Sequence, residues 1–375
     1  MRFVFNPFLR QGEAMAPPSR AAVLEFHQSL PGYAPTPLHS CHGLARALGV
    51  GGLYVKDEAH RFGLKAFKGL GASWALHRVL EDGRAGGTSP PTAVATATDG
   101  NHGRAVAWAA RRAGLAATIF IPAGSAPARV EAIRGEGARV ILVEGTYDDA
   151  VRQCAEESGR NGWQVIADTG YEGYLTIPRL VAEGYSTMFT EADSQIEMAS
   201  LARPGLLIVQ GGVGALACAA VEHYRGSSDR PAIAVVEPVD ADCLLESIAS
   251  PDGRPRPARG RQASIMAGLN CGEVSLAAWP TLRGGVDLFF SIEDRHAEEA
   301  MRRLHHAVTG DPPIEAGESG AAGLAGLVAL QTEEALRGAR ERLSLSDRTV
   351  VLVLNTEGAT DPEAFRRIAG LGPLP

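Results

Sequence analysis

Short apolar runs, each bounded by glycine, proline or polar residues, alternate along this chain with longer stretches whose apolar positions recur every three or four residues. The runs at 53–56, 94–98, 118–121, 140–143, 164–167, 206–209, 233–236 and 350–354 are short and β-rich, as strands are. The stretches at 69–80, 103–112, 127–134 and 214–224 carry helical spacing. Strands of this kind separated by helices predict an α/β architecture with mostly parallel sheets. Upstream, residues 1–30 read as a weakly structured arm followed by a helix over 18–30, which Pro31-Gly32 stops. Pro35-Thr36-Pro37-Leu38 reads as a rigid extended lead-in, and 251–261, rich in Pro, Gly and Arg, as a mobile surface loop. The chain shows no internal repeat.

Ligands on such sheets bind outside the carboxyl ends of strands, so polar and glycine-rich clusters that follow strands are the candidate site. Asp99-Gly100-Asn101-His102-Gly103 follows 93–98, and a helix starting near His102 turns its free N–H groups and the Asn101 amide toward the strand end. Asp168-Thr169-Gly170-Tyr171-Glu172-Gly173 follows the run that ends at 167. Gly211, Gly212, Val213 and Gly214 follow 206–210 and open a further helix. Lys68 stands where the loop after 53–56 becomes a helix, behind Ala66 and Phe67. Partial burial beside backbone N–H groups would lower its pKa toward a usable neutral amine. The glycine loop also fits the relaxed dinucleotide pattern G-x-G-x-x-A, with Glu237 at the end of the next strand as a ribose-binding acid. That reading, a nicotinamide dehydrogenase, gives Lys68 no task. Pyridoxal phosphate uses a lysine, an asparagine and a phosphate-holding glycine loop together.

Composition narrows the partners. The 375 residues are 45% hydrophobic and 21% charged, enough for a substantial core in one large or two moderate domains. A net charge of -7 and the absence of a long Lys/Arg run argue against nucleic acid. The most apolar window, 206–221, is broken by Gln210 and three glycines and reads as strand, loop and helix, so no membrane span is expected. The start of the chain is too interrupted for a signal sequence, and the cytoplasm is the expected compartment. The five cysteines have no C-x-x-C spacing, so neither a disulfide framework nor a metal site is expected.

Taken together, Ala66-Phe67-Lys68, Thr98-Asp99-Gly100-Asn101-His102-Gly103-Arg104, the 211–214 loop and Gly317-Glu318-Ser319-Gly320-Ala321 resemble the tryptophan-synthase-β-like, fold type II pyridoxal-phosphate enzymes. Within them, further blocks resemble the diaminopropionate ammonia-lyases: Tyr33-Ala34-Pro35-Thr36-Pro37-Leu38, Val55-Lys56-Asp57-Glu58, Arg61-Phe62-Gly63-Leu64, Ile265-Met266-Ala267-Gly268-Leu269 and Thr356-Glu357-Gly358-Ala359-Thr360-Asp361. The resemblance spans nearly the whole chain. It implies a two-domain α/β fold with the cofactor in the interdomain cleft: residues 1–68 and 173–375 as a large cofactor-binding domain, 69–172 as a small inserted one. It implies a homodimer, pyridoxal 5'-phosphate, and elimination of ammonia from 2,3-diaminopropionate to give pyruvate and a second ammonia. Lys68 resembles the cofactor-bearing lysine, and Asp99 and Asp168 the acidic pair facing the substrate. Asn101 would lie beside the cofactor 3-hydroxyl, and Gly211, Gly212, Val213 and Gly214 would hold its phosphate. Thr356, with Asn355 as rival, would meet the pyridine nitrogen. Lys65, a second amine near Lys68, and Tyr171 depart from the family pattern.

The chemistry fits those residue types. A β-amine leaves only when protonated, and aspartates at 99 and 168 favour a substrate carrying a β-ammonium over one carrying a hydroxyl. The alternative is a pyridoxal-phosphate dehydratase or β-replacement enzyme acting on a serine-like amino acid. A silent module that binds an amino acid without turnover is a third reading. His102 reads as a packing or capping residue. Glu318 and Ser319 either shape the pocket or cap a helix, and the family-like blocks that carry Cys243 and Cys271 imply that the two thiols approach each other near the site entrance.

Overall fold

The structure, a computed structural model, describes residues 1–10, 20–86, 91–98, 100–227 and 229–372. Its strands are β1 (Phe3–Phe5), β2 (Leu38–Ser40), β3 (Gly52–Asp57), β4 (Ala93–Ala97), β5 (Ala116–Pro122), β6 (Arg139–Val143), β7 (Gln164–Val165), β8 (Leu206–Gln210), β9 (Ala232–Pro238), β10 (Leu288–Ile292) and β11 (Val350–Asn355). Seven form one sheet in the order β1-β10-β9-β8-β11-β3-β2, and four form a second in the order β6-β5-β4-β7. Every pair in the second sheet is parallel. In the first, the pairs from β10 through to β3 are parallel, and β1 and β2 close its edges antiparallel.

The apolar runs lack alternation because helices cover both faces of the larger sheet. Leu207, Val209, Val235, Leu352 and Leu354 face one hydrophobic cluster, while their neighbours Leu206, Ile208, Ala234, Val351 and Val353 face another. This is the two-residue period of a pleated strand with an apolar partner on each side. Helix Ala322–Thr332, buried along almost its whole length, packs on the second face against β8 and β11. The first cluster does not stop at the larger sheet. It continues through helices Lys68–Ala85, Asn101–Arg112 and Thr176–Gly184 to Val94, Ile119 and Ile121 of the smaller one, so the two sheets share a core.

Beneath the chain that leaves β3 lies a buried charge cluster. Arg61 donates to Glu58 and Glu191 with four bonds of 2.8 Å, and Lys56 donates to Glu191 and the Thr36 carbonyl at 2.7 Å. Two cations and two carboxylates balance there, and the geometry offsets the large cost of removing them from water. Burial pulls the Lys56 ammonium below its usual range, and the two carboxylates oppose that. The cluster fixes the 3-10 segment Glu58–Gly63 that turns the chain from β3 into Lys68.

Several expectations change. The arm begins with a true edge strand, since Phe3 pairs with Phe290 across β10. The extended lead-in runs into β2 at Leu38, and β10 joins the expected strands. The expected 18–30 helix is observed as Arg20–Ser29, with residues 18 and 19 outside the described region. Residues 251–261 are more than a surface connection. Arg256 N–H donates to Ser247 at 2.8 Å, Ala258 N–H donates to Gly272 at 2.9 Å, and the segment helps to line the cleft entrance. No described helix is long and apolar enough to cross a membrane.

Candidate active site

Lys68 is the first residue of helix Lys68–Ala85, and its loop is stitched to the end of β11. Phe67 N–H donates to the Thr356 carbonyl at 3.1 Å, and Gly358 N–H donates to the Lys65 carbonyl at 2.9 Å. At Gly71, one turn on, an added Cβ would lie 2.6 Å from Tyr185 and 2.7 Å from Val181, so only glycine lets the helix seat this deeply. The Lys68 side chain, 18% exposed, reaches into the cleft, where Nζ donates to Asp168 Oδ2 at 2.5 Å.

Asp168 lies just past β7, wholly within the protein. Burial pushes its carboxyl up, but His102 and Lys68 more than offset this and hold it at about 2. His102 is itself kept neutral by burial, with Nε2 on the Ile166 carbonyl at 2.8 Å, so at neutral pH the Lys68 ammonium is the charge that Asp168 feels. The other ring nitrogen of His102, Nδ1, lies 3.8 Å from Asp168.

The turn after β4 is set by Thr98, whose Oγ1 accepts from the Gly100 and Gly103 N–H groups at 2.9 Å each. Gly100 has φ of 147°, a value that favours glycine. Asn101 then opens helix Asn101–Arg112, and its Nδ2 donates to Glu357 Oε2. Asp99 lies outside the described residues.

After β8 the chain forms a cradle. Gly214 has φ of 101° and precedes helix Ala215–Tyr224. Among the described residues, the N–H groups of 212–216 have no hydrogen-bond partner. Consecutive unsatisfied N–H groups at a helix start form an anion site. Gly211 does not belong to it. Its N–H is spent on the Val236 carbonyl at 2.8 Å.

One cleft is lined by Lys68, Asn101, Asp168, Gly212, Val213, Gly214 and Thr356 together. Asn355, the rival of Thr356, turns away: its Nδ2 is held by Asp57 Oδ1 at 2.7 Å and the Glu315 carbonyl at 3.0 Å. Thr356 Oγ1 accepts from the buried Gln210 amide at 3.3 Å. The cleft opens into a vestibule of about 480 Å³ whose walls include Tyr147, Tyr171, Arg256, Cys271 and Glu273. Lys65 lies on a separate cavity with Arg104 and Arg129, its Nζ 3.6 Å from Glu315, so it does not share the cleft with Lys68. Cys243 and Cys271, neither of them in a disulfide, both lie beside Gly212: Cys243 Sγ is 3.8 Å from its carbonyl, and Cys271 Sγ would be 3.3 Å from an added Cβ.

Three further residues take their tasks from the fold. Glu237 caps helix Cys243–Ala249, accepting from Leu244 and Leu245 N–H at 2.8 Å, so it is no ribose acid. Ser319 accepts from Gly268 N–H at 3.0 Å and so shapes the pocket rather than capping helix Ala322–Thr332, which has no side-chain cap. Glu357, within a quoted block but without an assigned task, holds Asn101. Its partner is 256 residues away, and no local pattern signals such a contact.

A deep lysine at a helix start, an asparagine after a second strand and an orphan N–H cradle after a third define a pyridoxal-phosphate site on this fold. The chain belongs to the pyridoxal-phosphate dependent enzyme family, whose model matches residues 30–355. It is 39% identical over 369 residues to the diaminopropionate ammonia-lyase of Salmonella typhimurium, covering 93% of this chain and 91% of that protein. The crystal structure of the Escherichia coli diaminopropionate ammonia-lyase in complex with D-serine superposes with a TM-score of 0.90 at 37% identity, covering 98% of this chain and 96% of that one. The L-serine dehydratase/L-threonine deaminase of Rattus norvegicus is 32% identical over 148 residues, 39% of this chain and 38% of its own length.

The residues present fit pyridoxal phosphate. Its phosphate suits the unpartnered N–H groups of 212–216, and Gly214, with φ of 101°, shapes the turn that presents them. Thr356 supplies a neutral hydroxyl, and Lys68 the amine.

Proposed function

We propose that this chain is a carbon-nitrogen lyase that eliminates ammonia from 2,3-diaminopropionate, giving pyruvate and a second ammonia, with pyridoxal 5'-phosphate as cofactor. The observation that carries this reading is the Lys68–Asp168 contact inside the cleft that also holds Asn101, Thr356 and the glycine cradle. When bound, pyridoxal phosphate accepts the electron pair released at the substrate α-carbon. Residues 212–216 would hold its phosphate, Asn101 its 3-hydroxyl and Thr356 its pyridine nitrogen.

The protein's own groups handle charge and protons. Lys68 Nζ, as a free amine, takes the α-proton. Asp168, whose carboxyl is held low by the charges that face it, serves as an electrostatic partner for the substrate β-ammonium, which takes the place of the Lys68 charge, rather than as a proton donor. Departure as ammonia requires the β-nitrogen to remain protonated, since an amide anion is far too basic to leave. The contact between Nζ and Asp168 Oδ2 keeps the proton gained by Lys68 beside the carboxylate that orients the leaving group. A hydroxyl in place of the ammonium would leave Asp168 without its charge partner, at about 1–3 kcal/mol. Asp99 is proposed as the second substrate-facing acid, and the enzyme as a homodimer.

The test is an absorbance spectrum of purified protein before and after D- and then L-2,3-diaminopropionate, with pyruvate assayed in the same sample and Lys68→Ala alongside. A visible band that Lys68→Ala loses, with pyruvate formed from the diamine, is expected. Pyruvate from serine but not from the diamine would move the assignment to a dehydratase. The absence of a band after adding pyridoxal phosphate would overturn the cofactor reading altogether.

A further inference from the structure

Glu357 is 2% exposed, and among the described residues it has no ion-pair partner. A carboxylate that is buried without a counter-ion is costly to keep, and hydrogen bonds alone must satisfy it. Its bonds are unusual in what they join. Oε2 accepts from Asn101 Nδ2 and from Thr360 Oγ1 at 3.3 Å, and Oε1 accepts from Ser319 N–H at 3.2 Å. Asn101 belongs to the loop after β4 on the smaller sheet, whereas Ser319 and Glu357 belong to loops on the larger one. Room is left for this residue by its neighbours. A Cβ at Gly317 would lie 3.1 Å from Glu357 Oε1, and one at Gly320 would lie 2.2 Å from its carbonyl oxygen. The backbone of the same residue bridges Ala66, two positions before Lys68.

A carboxylate only accepts hydrogen bonds, so it dictates which end of the Asn101 amide faces it. With Nδ2 turned to Glu357, the direction of Oδ1 and of the second N–H is fixed as well. We propose that Glu357 is a positioning residue of the cofactor site: through Asn101 it sets the amide orientation offered to the cofactor 3-hydroxyl, while its backbone registers the Lys68 loop against the same segment. This rests on the pyridoxal-phosphate reading above, which puts Asn101 beside that hydroxyl. Glu357 touches neither substrate nor cofactor in this role.

The experiment is a double-mutant cycle on the full chain with Glu357→Gln and Asn101→Ala, read by pyridoxal-phosphate affinity and by the position of the visible absorbance maximum. Loss of a charge-assisted hydrogen bond predicts affinity weakened about 10-fold in Glu357→Gln, with a displaced maximum. Both effects should vanish when Asn101 is already alanine, because Glu357 acts through that amide. Equal losses in the two backgrounds, or no change in either, would overturn the assignment. Thermal unfolding without cofactor serves as the folding control. If Glu357→Gln fails it, Glu357→Asp, which keeps the charge and shortens the reach, replaces it in the same cycle under the same criteria. Wild-type protein that shows no visible band with pyridoxal phosphate would sink the functional reading itself, a result distinct from an additive cycle.

Discussion

Two buried carboxyl groups, Asp168 in the cleft and Glu318 near Glu357, have opposite fates, and their surroundings explain why. Asp168 sits in contact with the Lys68 amine and is held at about 2, whereas Glu318 has no such partner and is raised to about 7, first by burial and then by the Glu357 carboxylate. The sign of the linkage follows. A raised acid keeps its proton in the folded state, so its contribution is fully present below the unfolded value near 4.5 and is lost as pH rises through about 7. Folding stability should therefore decline between those pH values by on the order of 3 kcal/mol from Glu318 alone. Glu318→Gln removes that slope. Urea midpoints of wild-type and variant protein at pH 4.5, 6 and 8, without added cofactor, check it. Other buried acids such as Glu222 titrate in both proteins and cancel in the difference. Parallel curves for the two proteins would show that Glu318 carries no such proton.

Among elements, the glycine cradle shows most clearly what a sequence can and cannot tell. The strand, the glycines and the helix that follows were legible because each is a local signal: an apolar run, residues able to take positive φ, then helical spacing. Which glycine meets the ligand was not legible. Gly211 is excluded because its N–H is spent on the carbonyl of Val236, which lies beyond the loop in sequence. Gly214→Ala is expected to weaken pyridoxal-phosphate binding at least 10-fold while leaving secondary structure intact. It combines an αL conformation that L-residues disfavour with a Cβ 2.6 Å from Leu282, together worth about 2–4 kcal/mol. Cofactor titration with circular dichroism as control measures this, and unchanged affinity would remove Gly214 from the cradle. The same logic sorts the strands. Long central strands announce themselves through continuous apolar runs, and β10 carries that pattern too. The three-residue edges β1 and β2 exist through their partners, as Phe3 does opposite Phe290 and Leu38 opposite Lys56. Likewise the Lys56–Glu58–Arg61–Glu191 cluster depends on a carboxylate 130 positions from Arg61, and no periodicity reveals it.

At the scale of the molecule, the site is divided between two sheets that share one core. Asn101 and Asp168 come from loops of the smaller sheet, the glycine cradle and Thr356 from the larger, and Lys68 from the helix between them. A ligand held by both sides stabilises more than the element it touches, because local opening of either sheet now breaks its contacts. Cofactor at 100 times its dissociation constant adds about 2.7 kcal/mol to the folded state. That gain should appear on both sides of the cleft. Amide hydrogen exchange compared with and without pyridoxal phosphate is expected to slow at 212–216, where the N–H groups are otherwise unpartnered, and also at the start of helix Asn101–Arg112, which reaches the larger sheet through Glu357. Protection confined to 212–216 would mean that the smaller sheet moves independently of the ligand. The Asn101–Glu357 bond would then be a local contact and not a link across the cleft. Protection on both sides would identify cofactor binding as the event that couples the two sheets, and would place the Lys68 loop, stitched to Thr356 and Gly358, at the centre of that coupling.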